Sequence, residues 1–275
     1  MREMKAVVRR RIRSEQRWVS ITSPHNPLLK TFRRAAHDAE EFCVAEGPRL
    51  LEEAWRAGVS IQAVLLTEPQ AATALDKLPR EIPVYRVSRS LFDRVATTEA
   101  PQGVAALIRR PTWAAEQLFA ASAPLVVVLD GIQDPGNVGT ILRSAAAFGA
   151  SGAILLSGTA DPFNPKALRA SAGAAFRLPS VTRMAPKQAI SLLREHQVRI
   201  LACMARDVRP LVEVTLAGSL ALAIGSEARG LSREMLEGAD ERISVPMRPE
   251  TDSLNAGMAA SIVLYEVARQ RGFRF

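Results

Sequence analysis

Cysteine and histidine are scarce, with two of the first and three of the second in 275 residues. Cys43 and Cys203 sit in apolar stretches and are too few for a disulfide framework or a thiolate zinc site, which points to a reducing, cytoplasmic setting. His25, His37 and His196 lie far apart, outside the polar loops described below, so no Ser-His or Cys-His pairing and no metal-ligand spacing stands out. Long hydrophobic runs are also missing. The longest, such as 125–129 and 220–224, fall far short of the roughly 20 residues that span a bilayer, and no transmembrane helix is expected. Residues 1–17 lack the apolar core of about 7 to 15 residues that a secretory signal needs.

What is present is a chain able to bury a core: 48% hydrophobic, 23% charged, with mean hydropathy +0.03. At roughly 100 to 200 residues per domain, its length predicts two domains. The net charge of +8 is the usual footprint of a nucleic-acid partner, but it is unevenly spread. Residues 1–17 carry seven basic side chains against two acids, residues 18–123 balance to zero, and residues 124–275 hold the remaining +3. Of the 36 basic residues 31 are arginine, which suits bidentate phosphate contacts and equally suits a genome biased towards arginine codons. Residues 1–17 read as a flexible basic arm or an over-extended start, ahead of an Arg-rich organelle-targeting peptide, because ordered patterning begins only near Trp18.

From Phe42 the pattern alternates. Strands are expected at 42–46, 61–67, 82–87 and 103–108, with helices at 48–57, opened by Pro48, and at 88–96, capped by Ser88. This is a small α/β sandwich over 18–110. Residues 111–123 contain no clear strand and read as a linker. The second half, 124–275, opens with an apolar run that ends in Asp130, followed by a helix through Phe148 with Asn137 as its cap and Gly149 as its stop. Further strands at 153–157, 198–204, 220–225 and 242–246, with helices at 186–196 and 255–271, predict a mainly parallel sheet covered on both faces. Such sheets bind ligands at the carboxyl ends of their strands.

Three loops occupy that position: 130–144, 224–232 and 245–261, each rich in Gly, Pro, Asn or Ser. In the first, Asn137 stands where a phosphate loop needs lysine, and Gly131, Gly136 and Gly139 miss the dinucleotide fingerprint. The loops offer amides, an arginine, a glutamate and a serine, groups that position and polarise and so suit transfer of an already activated group.

At these residues the sequence resembles the SpoU branch of the SPOUT superfamily, RNA ribose 2'-O-methyltransferases that use S-adenosylmethionine. The resemblance rests on Asn137 with Arg143 six residues on, on Gly225-Ser226-Glu227 with Gly230-Leu231-Ser232, and on Pro246-Met247 with Ser253-Leu254-Asn255. Ala228 and Arg229 stand where many members have a second glycine after the glutamate. Ser23, Asn26 and Lys30, then 46–49 with Arg49, and Pro101-Gln102-Gly103 are similar to the substrate-binding domain of the family, related to the ribosomal L30e and L7Ae fold. The resemblance implies a trefoil knot in the carboxyl-terminal domain, S-adenosylmethionine as cofactor, no metal, and ribosomal RNA as partner. It further implies catalytic roles for Asn137, Arg143, Glu227, Ser253 and Asn255, and cofactor contacts at Gly225, Val245, Pro246, Met247 and Leu254. Asn26, Lys30, Arg49, Arg169 and Arg229 are then candidates to hold RNA, with Arg233 and Arg248 near the same loops.

Each residue also has a plainer reading. Arg143 fits a solvated helix position, Glu227 an exposed loop acid, and Asn137, Ser253 and Asn255 fit helix caps worth about 1 kcal/mol each. In the functional reading Glu227 orients Arg143 or binds the ribose. The last helix is apolar on more than one face, as a helix packed on its own sheet and on a second copy would be, so a homodimer is expected. The rivals are an RNA- or ribosome-binding protein without turnover, a transfer-RNA 2'-O-methyltransferase, and a base-nitrogen methyltransferase of the same superfamily. The full set of site residues argues against the first and the Ser-Leu-Asn signature against the last.

Truncating residues 1–17 removes +5 of the net charge. If the arm touches phosphates, truncation lowers the log-log salt slope of RNA binding by about 0.7 to 0.9 for each lost contact. An unchanged slope in a filter-binding titration would make the arm passive.

Overall fold

The computed structural model describes residues 18–37, 41–67 and 79–274, and the basic arm expected over residues 1–17 lies outside them. The chain divides into two compact units, with the main boundary between Arg109 and Arg110 and the short stretch 56–59 grouped with the second.

The first unit runs β1 (Val19–Ile21), α1 (Pro27–His37), β2 (Phe42–Glu46), α2 (Pro48–Arg56), β3 (Ile61–Leu66), β4 (Val84–Val87), α3 (Arg89–Phe92) and β5 (Val104–Arg109). Its sheet has the order β1-β4-β3-β5-β2, with β5 antiparallel to both neighbours. The strands and helices expected from Phe42 onward are present, although α3 stops at Phe92, four residues before the expected end. Helix α1 had no sequence signal as clear as its packing. Leu29, Phe32, Ala35 and Ala36 recur at helical spacing and are buried against Val44, Leu65, Phe92 and Leu107. Asn26 caps that helix, its Oδ1 accepting from the Leu28 amide at 2.9 Å. Glu46, at the end of β2, is a buried carboxylate that accepts from the Thr97 amide and hydroxyl, each at 2.6 Å, and from the Thr98 hydroxyl at 2.5 Å. It ties β2 to the 97–103 loop.

The second unit continues with β6 (Leu125–Asp130), α4 (Pro135–Ala147), β7 (Gly152–Leu156), α5 (Pro165–Ala170), β8 (Ser180–Met184), α6 (Pro186–Glu195), β9 (Arg199–Met204), β10 (Arg209–Pro210), β11 (Leu220–Gly225), α7 (Arg233–Gly238), β12 (Glu241–Ser244) and α8 (Ala256–Gln270). All seven strands are parallel, in the order β10-β12-β9-β11-β6-β7-β8. Strand β11 lies between β6 and β9, both earlier in the chain, which puts the carboxyl ends of β6 and β11 side by side: Gly225 is in register with Asp130. All of β6 is buried, which explains its unbroken apolar run. Val126, Val128, Ile200 and Ala223 pack with Ala189 and Leu193 of α6 and Met235 of α7. Helices α4 and α8 pack against each other, with Ser144 and Ser261 hydroxyls 2.7 Å apart.

Three readings are corrected by this structure. The cap of α4 is Asp134, whose carboxylate accepts from the Gly136 amide at 3.0 Å, not Asn137; Pro135 at the first helical position starts the helix earlier. Helices α5 and α7 and strand β8 are short and flanked by turn residues, and periodicity did not single them out. Residues 111–123 are packed onto the second unit: Leu118 is fully buried in its core, Ser151 donates to the Leu118 carbonyl at 2.6 Å, and the Trp113 ring stacks on Phe163. At the far end Arg271 donates to the carbonyls of Ala123 (3.0 Å), Gly218 (2.5 Å) and Leu216 (3.5 Å), pinning the end of α8.

Gly139 marks the closest approach of α4 and α5. A Cβ there would overlap the Ala167 carbonyl oxygen and come within 2.6 Å of the Ala170 Cβ. Gly139→Ala therefore destabilises the chain by about 1 to 3 kcal/mol in urea denaturation. Gly136→Ala, whose new Cβ meets the flexible end of Lys166 at 3.2 Å, costs under about 1 kcal/mol.

Candidate active site

The three polar loops converge at the carboxyl ends of β6 and β11. Asp130, buried at the end of β6, accepts from the Ser232 amide at 2.6 Å, and Ser232 in turn caps α7. That bond closes the 226–232 loop onto β6. At Gly225 a Cβ would overlap the Gly230 carbonyl carbon and the Leu231 nitrogen, so the loop doubles back tightly enough to require glycine there. Ser226 and Gly230 pair through both main-chain groups, Gly230 donating at 2.8 Å and Ser226 at 3.1 Å.

The tip of this loop carries Glu227. Its Oε1 accepts from Asn137 Nδ2 (3.0 Å), Asn255 Nδ2 (2.8 Å) and the Ala256 amide (3.2 Å). Asn255 Nδ2 also donates to Asn137 Oδ1 at 2.9 Å, while Asn255 Oδ1 caps α8 by accepting from the Gly257 and Met258 amides. One residue from each loop thus enters a single hydrogen-bonded cluster. Asn137 is buried in it, and the positive end of the α8 dipole faces the carboxylate. Among the described residues Glu227 Oε2 has no protein donor.

Arg143 is elsewhere. It is exposed and, among the described residues, no carboxylate pairs with it, so the expected contact with Glu227 is not made. The reason is helical geometry: six residues along α4 carry Arg143 about 9 Å up the axis and about 120° around it from Asn137. Ser253 is exposed and does not cap α8; that role belongs to Asn255 alone.

Val245, Met247 and Leu254 are half-buried and Pro246 exposed, along the loop from β12 to α8. The main-chain groups of Met247 and Leu254 have no hydrogen-bond partner among the described residues, while their side chains present apolar surface. Free amides and carbonyls beside apolar walls fit an adenine ring. Among the described residues no group of three or more His, Cys, Asp or Glu side chains is placed to hold a metal ion. No described helix is long and apolar enough to cross a membrane.

The remaining candidates are dispersed. Lys30 and Arg49 are exposed on the first unit, Arg229 is exposed beside Glu227, and Arg169 is half-buried on α5. Arg233 pairs with Glu237 at 2.6 Å. Sequence reasoning noted the acid that ends β6 without giving it a task; a lone carboxylate at the end of a buried strand was the available signal for Asp130.

The Asn137, Glu227 and Asn255 bonds predict strong coupling. In a double-mutant cycle Asn137→Ala and Asn255→Ala are non-additive by about 1 kcal/mol in denaturation, because either change removes the bond between the two amides and one of the donors to Glu227 Oε1. Additive effects would mean that the cluster does not act as a unit.

Comparison with known proteins identifies the family. The model of the SpoU rRNA methylase family matches residues 124–265, and that of the MRM3-like substrate binding domain matches residues 29–106. The 23S rRNA (guanosine(2553)-2'-O)-methyltransferase RlmP of Bacillus subtilis is 34% identical over 222 residues, covering 81% of this chain and 86% of the relative. The SpoU methyltransferase AviRb of Streptomyces viridochromogenes, solved with its cofactor AdoMet, superposes with a TM-score of 0.82 at 25% identity over 90% of this chain and 98% of that one. An AdoMet-bound rRNA methyltransferase of Sinorhizobium meliloti gives a TM-score of 0.81 at 28% identity over 92% and 98%. A family model that spans more than half of the chain, with relatives similar over four fifths of it or more, makes the chain a member of the SpoU rRNA methylase family.

Proposed function

We propose that this protein transfers a methyl group from S-adenosylmethionine to a ribose 2'-hydroxyl of RNA, with 23S ribosomal RNA as the substrate. The observation that carries the reading is the meeting of Asn137, Glu227 and Asn255 at the carboxyl ends of β6 and β11, beside a loop with free main-chain groups. The 23S rRNA 2'-O-methyltransferase of Bacillus subtilis, similar over four fifths of this chain, supports the choice of RNA.

The cofactor supplies a sulfonium-bound methyl group already activated for in-line attack. What the protein must add is position and charge. Gly225, Val245, Pro246, Met247 and Leu254 hold the adenosine through main-chain contacts and apolar walls. Glu227 Oε2 accepts from a ribose hydroxyl, its other oxygen being held by three donors. Arg143 stabilises the 2'-oxygen as it becomes negative, its proton passing to solvent, and grips the adjacent phosphate; a guanidinium stays charged at neutral pH and is itself a poor base. Ser253, exposed just before the α8 cap, stands ready to meet the nucleotide.

The first unit, over 18–110, serves as the RNA-holding domain, with Lys30 and Arg49 as phosphate contacts and Asn26 beside them. On the catalytic domain, 124–275, Arg169 and Arg229 serve as phosphate contacts of their own. The working form is a homodimer. Met258, Ile262 and Tyr265 form an exposed apolar stripe on α8, extended by Phe148 and Phe273, whose rings contact Tyr265. A trefoil knot belongs to the same reading, supported by β11 lying between two strands that precede it in the chain. The cytoplasm, where ribosomal RNA is matured, is its place of work.

In single-turnover methylation Arg143→Ala lowers the rate by two orders of magnitude or more while S-adenosylmethionine affinity by calorimetry, without added metal, stays within about threefold. Substantial rescue by Arg143→Lys assigns a plain electrostatic role, and no rescue assigns bidentate positioning. Near-wild-type turnover of Arg143→Ala would remove it from the site, and absence of cofactor binding by the wild type at millimolar concentration would overturn the function itself.

A further inference from the structure

The loop between β12 and α8 is poorly supported by its own backbone. Residues 245–254 include Pro246 and Pro249, which have no amide hydrogen to donate. Among the described residues the single main-chain hydrogen bond within the loop is Thr251 N–H to the Arg248 carbonyl, at 3.1 Å. Most of the loop is exposed. Yet it leads directly into Leu254 and Asn255, whose placement closes the cluster with Asn137 and Glu227.

The missing support comes from another strand. Arg206 lies two residues beyond the carboxyl end of β9, next to β12 in the sheet. Its Nη2 donates to the Pro249 carbonyl at 2.9 Å and also to the Thr251 carbonyl, and Asp252 Oδ1 stands 3.9 Å away. A charged donor bonded to neutral carbonyls makes a stronger contact than an amide would. Asp252 is fully exposed and contributes little at that distance. Two carbonyls two residues apart, held on one nitrogen, fix the turn 249–251 and hence the direction in which the chain enters α8.

We propose that Arg206 is a positioning residue for the cofactor loop: by holding the 249 and 251 carbonyls it keeps residues 245–254 in their binding conformation before the cofactor arrives. The proposal rests on the reading of this loop as the S-adenosylmethionine site. Without the clamp the loop samples other conformations, and binding must first collect it into the competent one, which lowers apparent affinity by the competent fraction. Chemistry in the filled site is untouched, because Arg206 reaches neither Glu227 nor Arg143. The competing role for a part-exposed arginine near the site, a direct RNA phosphate contact, makes different predictions.

The test compares the full-length wild type with Arg206→Ala and Arg206→Lys. Hydrogen exchange of the cofactor-free proteins reads the clamp directly: amides of 247–255 exchange at least severalfold faster in Arg206→Ala, with partial recovery in Arg206→Lys, whose ammonium reaches one carbonyl. Calorimetry with S-adenosylmethionine shows about tenfold weaker binding for Arg206→Ala, the size expected from the lost hydrogen bonds. The rate at saturating cofactor stays within about threefold, and the salt slope of RNA binding does not change. Unchanged exchange in 247–255 overturns the clamp whatever the cofactor does. Faster exchange with unchanged cofactor affinity overturns the link to binding. A slope lowered by about 0.7 to 0.9 with normal exchange assigns Arg206 to a phosphate instead. If the wild type binds no S-adenosylmethionine, the functional reading fails, while the exchange comparison still decides the clamp.

Discussion

Glu227 Oε1 is the atom on which the candidate site depends. It gathers the Asn137 amide from α4, the Asn255 amide and the first free N–H of α8, so one carboxylate oxygen determines how two helices and a loop meet. A carboxylate suits the task because it accepts several bonds at once and is stabilised by the α8 dipole. The cluster satisfies Asn137 inside the protein and both ends of the Asn255 amide. Its geometry is rigid for that reason, and a rigid frame is what methyl transfer requires, since the reactive group is brought in by the cofactor and only alignment is left to the protein.

The sheet makes that meeting possible. Seven parallel strands point their carboxyl ends in one direction, and the insertion of β11 between β6 and β9 puts Gly225 opposite Asp130. Glycines then set how closely elements approach: Gly225 lets the 226–230 loop fold onto its own strand, Gly139 lets α4 reach α5, and Gly257 brings α8 within contact of Thr140. Arginine has a complementary use. Arg206 and Arg271 donate to main-chain carbonyls of loops rather than to carboxylates, so part of a composition rich in arginine serves to hold irregular backbone. Net charge alone therefore overstates the surface left for phosphate.

The first unit shows the same economy. Glu46, the acid in the 46–49 segment, is buried and spent on Thr97 and Thr98, and Asn26 is spent on capping α1. Among the residues singled out there, the cations Lys30 and Arg49 are exposed. A match of sequence motif to a substrate-binding domain thus includes residues whose side chains shape the domain itself.

Much was legible in the sequence because the signals are local. Buried parallel strands such as 125–130 and 220–225 declare themselves as apolar runs, Pro and Gly mark helix ends, and three motifs in fixed order identify the family. Local signals also misled where a neighbour changed their meaning, as when Pro135 moved the cap of α4 from Asn137 to Asp134. Short elements such as α5, α7 and β8 carry too few residues for a period to emerge. Residue type and spacing singled out Asn137, Glu227 and Asn255 as candidates but did not separate them from Arg143 and Ser253, which stay outside the hydrogen-bonded cluster. The partners in that cluster were decided by tertiary structure alone. Within the cluster, hydrogen bonds join residues as far as 118 positions apart, as with Asn137 and Asn255, and the pitch of α4, together with the insertion of β11, turned Glu227 towards the asparagines and away from Arg143.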